Sequence, residues 1–244
     1  MFNRIQGPPK IKKSNITINN IDCMQAMKDF KDNYFHLAIV DPPYALKMSS
    51  YRGPNSKGSK KKGFGKNTQG NEYKRLYAEK NWDKCRPDQE YFDELQRISR
   101  NQIIWGGNYF ADMLPPSRGW IYWAKNKHHR NFNRFADGEL AWTSFDKNLK
   151  QVDIPWIGLG YINNEFKEKK NHPTQNPIPL YIWILENYTK SNKERIIDTH
   201  LGSGSIAIAS DKLGYDLWGY EIDTDYYSGA VKRLEEHRKQ LRLF

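Results

Sequence analysis

Cysteine is scarce in this chain, with two residues, Cys23 and Cys85, among 244. That pair can build neither a disulfide framework nor a four-ligand zinc site, and no His/Cys spacing suggests a metal. Long apolar runs are also missing. The longest stretches, such as Leu37 to Val40, fall far short of the roughly 20 residues a membrane-spanning helix needs. Met1 to Lys13 carries Lys and Pro but no apolar segment of the secretory kind. A cytoplasmic protein with no membrane partner is therefore expected. Acids are in short supply: 28 Asp and Glu face 39 Lys and Arg, for a net charge of +11. What remains is a foldable balance, 38% hydrophobic, with 8 Trp, 15 Tyr and 11 Phe. This is too aromatic for a disordered chain. The length fits a single domain over 1–244 with room for an insertion, and a core that needs no staple.

The positive charge is concentrated. Between Lys47 and Arg86 there are twelve Lys or Arg and three acids, which accounts for +9 of the +11 in about a sixth of the chain. Gly53, Gly58, Gly63, Gly65 and Gly70 and the run Lys60, Lys61, Lys62 lie in the same stretch. Such a segment buries little and loses much backbone entropy on ordering. Residues 45–86 read as a mobile basic loop insertion. Lysines and arginines that neutralise phosphates release counterions, so a polyanion such as nucleic acid is one partner for it, and plain solvation is the other reading.

Strand-length and helix-length patterns alternate along the chain. Strands are expected over Asn15–Ile18, Phe35–Val40, Gln102–Trp105, Trp120–Ala124, Glu139–Thr143, Arg195–Ile197 and Leu217–Tyr220. Helices are expected over Met24–Lys31, Asp88–Arg100, Pro179–Tyr188, Ser205–Leu213 and Asp225–Leu241. The last should place Tyr227, Ala230, Val231, Leu234 and Leu241 on one face. Val152–Lys170 reads as irregular. This alternation predicts an α/β fold with a mainly parallel sheet.

In such sheets ligands bind beyond the carboxyl ends of strands, and two strand ends carry unusual chemistry. One is Asp198-Thr199-His200-Leu201-Gly202-Ser203-Gly204-Ser205, with Glu221 ending the following strand. Glycines let a backbone approach a ligand, and the acid can accept from ribose hydroxyls. Any adenosine-containing cofactor suits this pattern. With Ala207 it also meets the loose Gly-x-Gly-x-x-Ala form, so a nicotinamide cofactor is a rival, as is a ligand-free turn. The other is Asp41-Pro42-Pro43-Tyr44. Two prolines make a rigid turn that can aim the Asp41 carboxylate and the Pro42 carbonyl the same way. Two acceptors can take the two N–H bonds of an exocyclic amine and aim its lone pair at an electrophile, while Tyr44 stacks on a base drawn out of the duplex.

Together these residues resemble the S-adenosylmethionine-dependent DNA amino-methyltransferases, and the order of the two motifs resembles the β class. The resemblance implies a Rossmann-like class I methyltransferase fold, with seven strands in a mainly parallel sheet and helices on both faces. It implies catalytic Asp41, Pro42, Pro43 and Tyr44. It implies S-adenosylmethionine held by Asp22, Cys23, Asp41, His172, Thr174, Asp198, His200, Gly202, Ser203, Gly204, Ser205 and Glu221. His172-Pro173-Thr174-Gln175-Asn176-Pro177 matches a His-Pro-Thr-Gln-Lys-Pro segment, and Ile103–Phe110 is also similar to a family stretch. Three positions depart: Asn176 stands for Lys, Thr199-His200 for Pro-Phe, and Ser205-Ile206 for Thr-Thr.

The implied partner is double-stranded DNA, met by Lys60, Lys61, Lys62, Lys125, Arg130 and Arg134, with 125–170 as a target-recognition region. A homodimer and a cognate restriction endonuclease stay open. In this family an Asp heading the quartet goes with adenine-N6, and N4-cytosine is the nearer alternative. A DNA-binding homologue without catalysis is a further one. A nicotinamide oxidoreductase would need a second nucleotide-binding half after the glycine turn, and about 40 residues there are too few. Neither cysteine follows a proline, which argues against covalent attack on cytosine carbon.

Overall fold

The computed structural model describes residues 14–46, 85–125, 136–156 and 174–241. The elements in chain order are β1 (Ile16–Asn19), α1 (Cys23–Met27), β2 (Leu37–Val40), α2 (Gln89–Ile98), β3 (Gln102–Trp105), β4 (Trp120–Ala124), β5 (Gly138–Thr143) and β6 (Lys150–Asp153). These are followed by α3 (Ile178–Tyr188), β7 (Arg195–Asp198), α4 (Ser205–Leu213), β8 (Asp216–Tyr220) and α5 (Thr224–Leu241). A 3₁₀ turn, Gly107–Tyr109, follows β3.

The strands form one sheet in the order β1-β8-β7-β2-β3-β5-β4-β6. All neighbouring pairs are parallel except those made by β5, which runs against both β3 and β4. The central strand β2 is apolar on both faces, as a strand covered on both sides must be. Its alternate residues feed two cores. Leu37 and Ile39 pack with Leu180, Ile184, Ile206 and Ala209 of α3 and α4. Ala38 and Val40 pack with Met27 of α1 and Tyr91, Phe92 and Leu95 of α2. Helix α2 starts where the Asp88 side chain accepts from the Tyr91 N–H at 3.2 Å, a standard N-terminal cap.

The mainly parallel α/β sheet is as expected, but among the described residues it has eight strands instead of seven. The extra strand is β6, in a stretch read as irregular from Val152 onward. Among the described residues it pairs only with β4, and Val152 is its one buried residue. One buried side chain in four gives no alternation to read. Helix α1 is also shorter than expected, because the Lys28–Asn33 segment turns instead of continuing, with Asn33 at φ +55°. On α5, Ala230 and Leu234 are buried as expected. Tyr227 and Val231 are only half-buried, and Arg233 joins the buried face. Most of the 45–86 insertion, with Lys60, Lys61 and Lys62, lies outside the described residues. So do Arg130, Arg134, His172 and most of 125–170 apart from β5 and β6. Among the described residues, no helix is long and apolar enough to cross a membrane.

Candidate active site at the carboxyl ends of the central strands

Four neighbouring parallel strands, β1, β8, β7 and β2, deliver four acids to one end of the sheet. Asp22 follows β1, Glu221 follows β8, Asp198 closes β7, and Asp41 follows β2. The chain order reverses between β7 and β2, and a crevice opens at such a switch point. A cavity of about 280 Å³ lies there, lined among others by Asp22, Asp41, Asn176, His200, Gly202 and Glu221.

The glycine turn forms its floor. Gly202 and Gly204 have φ of +52° and +73°, left-handed values that favour glycine. A Cβ on Gly204 would stand 2.9 Å from the Ala230 methyl, so the glycine also lets α5 pack against the turn. The Glu221 carboxylate accepts from the Gly202 N–H at 2.8 Å through one oxygen and from the Asp223 N–H at 2.8 Å through the other. Asp198 accepts from the His200 N–H at 2.9 Å. Beneath the turn the Tyr91 hydroxyl meets Thr199 Oγ1 at 2.7 Å, and Thr199 Oγ1 meets His200 Nδ1 at 3.0 Å. Asp22 caps α1 by accepting from the Met24 N–H at 2.8 Å.

Asp41-Pro42-Pro43-Tyr44 forms the opposite wall. The Tyr44 hydroxyl donates to Asp41 Oδ1, and Asn176 Nδ2 donates to Asp41 Oδ2 at 2.9 Å. The Tyr44 ring lies stacked on Tyr109, centroids 4.8 Å apart and planes at 19°, with Phe110 edge-on at 5.9 Å. Gly106, at φ +66°, makes room: a Cβ there would sit 2.2 Å from the Tyr44 ring.

Comparison with known proteins bears on this arrangement. The family described as DNA methylase matches residues 100–232, more than half of the chain. The chain belongs to the DNA methylase family. Among curated relatives, it is 26% identical over 157 residues to Type II methyltransferase M2.LlaDCHI of Lactococcus lactis subsp. cremoris. That match takes in 61% of this chain and 54% of the relative, so the chain spans about half the relative's length. Two solved structures share the fold. The M1.HpyAVI–SAM complex has a TM-score of 0.53 at 20% identity, over 90% of this chain and 100% of that one. The PvuII DNA methyltransferase (cytosine-N4-specific) has a TM-score of 0.56 at 13% identity, over 93% and 92%.

The acids of this DNA methylase repel one another. Burial pushes Asp41 up to about 7, helped by the neighbouring Glu139. Burial likewise pushes Asp198 up to about 8, with Asp41 and Glu221 adding to the effect. Glu221 is raised by its burial too. The Cys23 thiol is pushed up to about 12 by burial and by Asp22, so it is no nucleophile. Burial lowers His200 to about 4, which leaves its imidazole neutral at neutral pH. Among the described residues, no Lys or Arg lines the cavity.

Of the residues singled out in the sequence, Asp22, Cys23, Asp41, Pro43, Thr174, His200, Gly202, Ser203 and Glu221 line the cavity. Pro42, Tyr44, Asp198, Gly204 and Ser205 are not among its lining residues, although Tyr44 bonds Asp41, Asp198 accepts from the His200 N–H and Ser205 accepts from Arg233. The Lys125 ammonium pairs with Glu139 and sits 4.3 Å over the Trp123 ring. Asn176, which the sequence places in the family-like His172–Pro177 segment as a departure from Lys, lines the cavity and bonds Asp41. Other residues of the site are not among those expected. Tyr181 lines the cavity from α3, and Ile21, Ile222 and Tyr226 complete its rim. Ile222, exposed by 61% directly after Glu221, carried a readable signal, since an apolar residue beside a strand-end acid is placed to meet a ligand.

Proposed function

We propose that the chain transfers a methyl group from S-adenosylmethionine to the N6 amine of an adenine turned out of double-stranded DNA. The observation that carries this reading is the double engagement of Asp41. It lines the cavity closed by Gly202 and Glu221, and it also bears Tyr44 on Oδ1. The amine acceptor and the cofactor cavity thus meet in one carboxylate.

The residues present fit the cofactor by their chemistry. Glu221 accepts from the backbone of Gly202 and Asp223, and a carboxylate with about four acceptor sites has capacity left for a ribose hydroxyl. Asp22, Asp41 and Glu221 line the cavity without a Lys or Arg among the described lining residues. That charge balance suits a sulfonium cation. It disfavours the pyrophosphate of a nicotinamide dinucleotide, which cations and helix N-termini bind best. When bound, S-adenosylmethionine supplies a methyl group already activated by positive sulfur.

The chain then has to orient the amine. Asp41, as a carboxylate, accepts one N–H, and the Pro42 carbonyl is assigned the other. Both acceptors favour a nitrogen whose lone pair points into the cavity, and both stabilise the positive charge that grows on it during transfer. Tyr44 offers its ring to the base. Its present stack on Tyr109 supports a surface able to hold aromatic planes. Lys60, Lys61, Lys62, Arg130 and Arg134 are assigned to DNA phosphates on the charge excess of their segments. The Type II name of the Lactococcus lactis relative supports a cognate restriction endonuclease as partner.

Adenine is preferred on the Asp that heads the quartet. The test is to express the protein in a host without DNA methylation and sequence the modified bases. N6-methyladenine at a defined site is the expected outcome. N4-methylcytosine would replace the adenine assignment, and unmodified DNA would overturn the reading.

A further inference from the structure

Asn176 sits at the amino end of α3, buried, with Pro177 after it. The residue before a proline is held extended. The Trp156 indole N–H also pins the Gln175 carbonyl at 2.8 Å. The Asn176 backbone is therefore fixed before its side chain makes any contact. Its Nδ2 donates to Asp41 Oδ2 at 2.9 Å, across 135 positions of sequence, and the buried Tyr181 lines the same cavity. An ionised carboxylate only accepts, so the amide must face it with nitrogen.

The other oxygen of Asp41 is held differently. Its partner is the Tyr44 hydroxyl, on the flank of a proline turn that ends at Ala45 with φ +61°. We propose that Asn176 is a positioning residue that clamps Oδ2 of Asp41, so that Oδ1 is the oxygen offered to the amine of the target base when Tyr44 yields it. The proposal rests on the methyltransferase reading of the site and names a role that reading did not need.

The surroundings of Asp41 make the clamp consequential. Glu139 on β5 and Asp198 on β7 oppose its ionisation. Lys125 at the end of β4, Tyr44 and Asn176 favour it, and the hydroxyls of Tyr91 on α2 and Tyr181 on α3 lie in its field. A protonated Asp41 would lose an acceptor lone pair and present a donor to the amine. Each donor that steadies the anion therefore extends the working range towards acid.

The test titrates Asp41 in the full chain by carbon NMR of aspartate labelled at its carboxyl, with the resonance assigned by its loss in Asp41→Asn. Asn176→Leu keeps the volume and removes the donor; it should raise the midpoint of Asp41 by about one pH unit. Asn176→Lys keeps a donor and adds charge, and should lower it. A residue that merely fills space would shift both variants the same way, and that result, or an unmoved midpoint in Asn176→Leu, overturns the proposal. Asn176→Ala makes the same measurement if the leucine variant fails to fold. In DNA methylation assays the acid limb of turnover should move up with the midpoint, while the cofactor dissociation constant stays within about twofold. A loss confined to cofactor affinity would overturn the proposal by making Asn176 a cofactor ligand. A wild-type protein that methylates no DNA would overturn the functional reading alone, and the titration then still decides whether Asn176 governs Asp41.

Discussion

The buried guanidinium of Arg233 on α5 donates to the carbonyl oxygen of Ser203 at 2.8 Å and to Ser205 Oγ at 2.9 Å. The glycine turn is therefore held from behind by a charged group that never reaches the cavity. Arg233→Met should leave the Ser203 carbonyl without this donor. We expect a stability loss of about 2–3 kcal/mol in urea denaturation and a several-fold weaker cofactor, read by calorimetry. Unchanged affinity would show that the turn keeps its shape without the clamp.

Asp41→Asn retains the shape of the side chain and loses the anionic acceptor. Methyl transfer should fall by ~10²–10³-fold, the scale seen when one preorganised transition-state partner is removed. The cofactor should also bind more weakly for want of one cavity charge, but by far less than the loss in transfer, because the turn and Glu221 are untouched. Labelled-methyl transfer at the wild-type rate would remove Asp41 from the reaction.

Glu221→Ala acts on the other wall. It removes the acceptor for Gly202 and Asp223 together with the lone pairs assigned to the ribose. A charged hydrogen bond contributes about 1.5–3 kcal/mol, so the cofactor should bind roughly 10- to 100-fold more weakly. Turnover at saturating cofactor should change far less, and the ratio of the two effects is the measurement.

Asp198 gives the cofactor-free protein a pH signature. Its carboxyl is pushed up to about 8 by burial and by Asp41 and Glu221, well above an ordinary aspartate. Unfolding therefore releases a proton across roughly pH 4 to 8, and the unfolded state binds fewer protons than the folded one. By linkage this group's contribution to stability falls as pH rises through that window. Asp198→Asn has no such term. Its melting temperature relative to wild type should climb between pH 5 and pH 8. A constant difference would mean that Asp198 is not buried as a free acid.

Much of this site could be read from the chain because its chemistry sits in contiguous motifs at strand ends. Asp41-Pro42-Pro43-Tyr44 and Asp198 to Ser205 each announce a turn by proline or glycine, and the apolar strand before each is plain. Helix α4 lies at the expected Ser205–Leu213 because the glycine before it and Gly214 after it, both left-handed, mark its ends. Strand β6 was hidden because an edge strand needs no apolar face. Asn176 and Arg233 were hidden for another reason. A buried polar side chain that bonds a residue 135 or 30 positions away leaves no periodic trace, and only the assembled fold shows what it holds. For Lys125 the fold adds a partner that the chain does not show, since its ammonium pairs with Glu139 of β5.

The pairing of β1 with β8 has a consequence for how the protein comes to life on the ribosome. Ile16 to Asn19 lie beside Leu217 to Tyr220, so β1 finds this neighbour only after β2 to β7 have been made. Contacts so remote along the chain form slowly and late. Asp22 and Glu221 stand at the ends of these two strands, so a nascent chain stopped before β8 has only one jaw of the pocket, and ligand capture must wait until β8 has emerged.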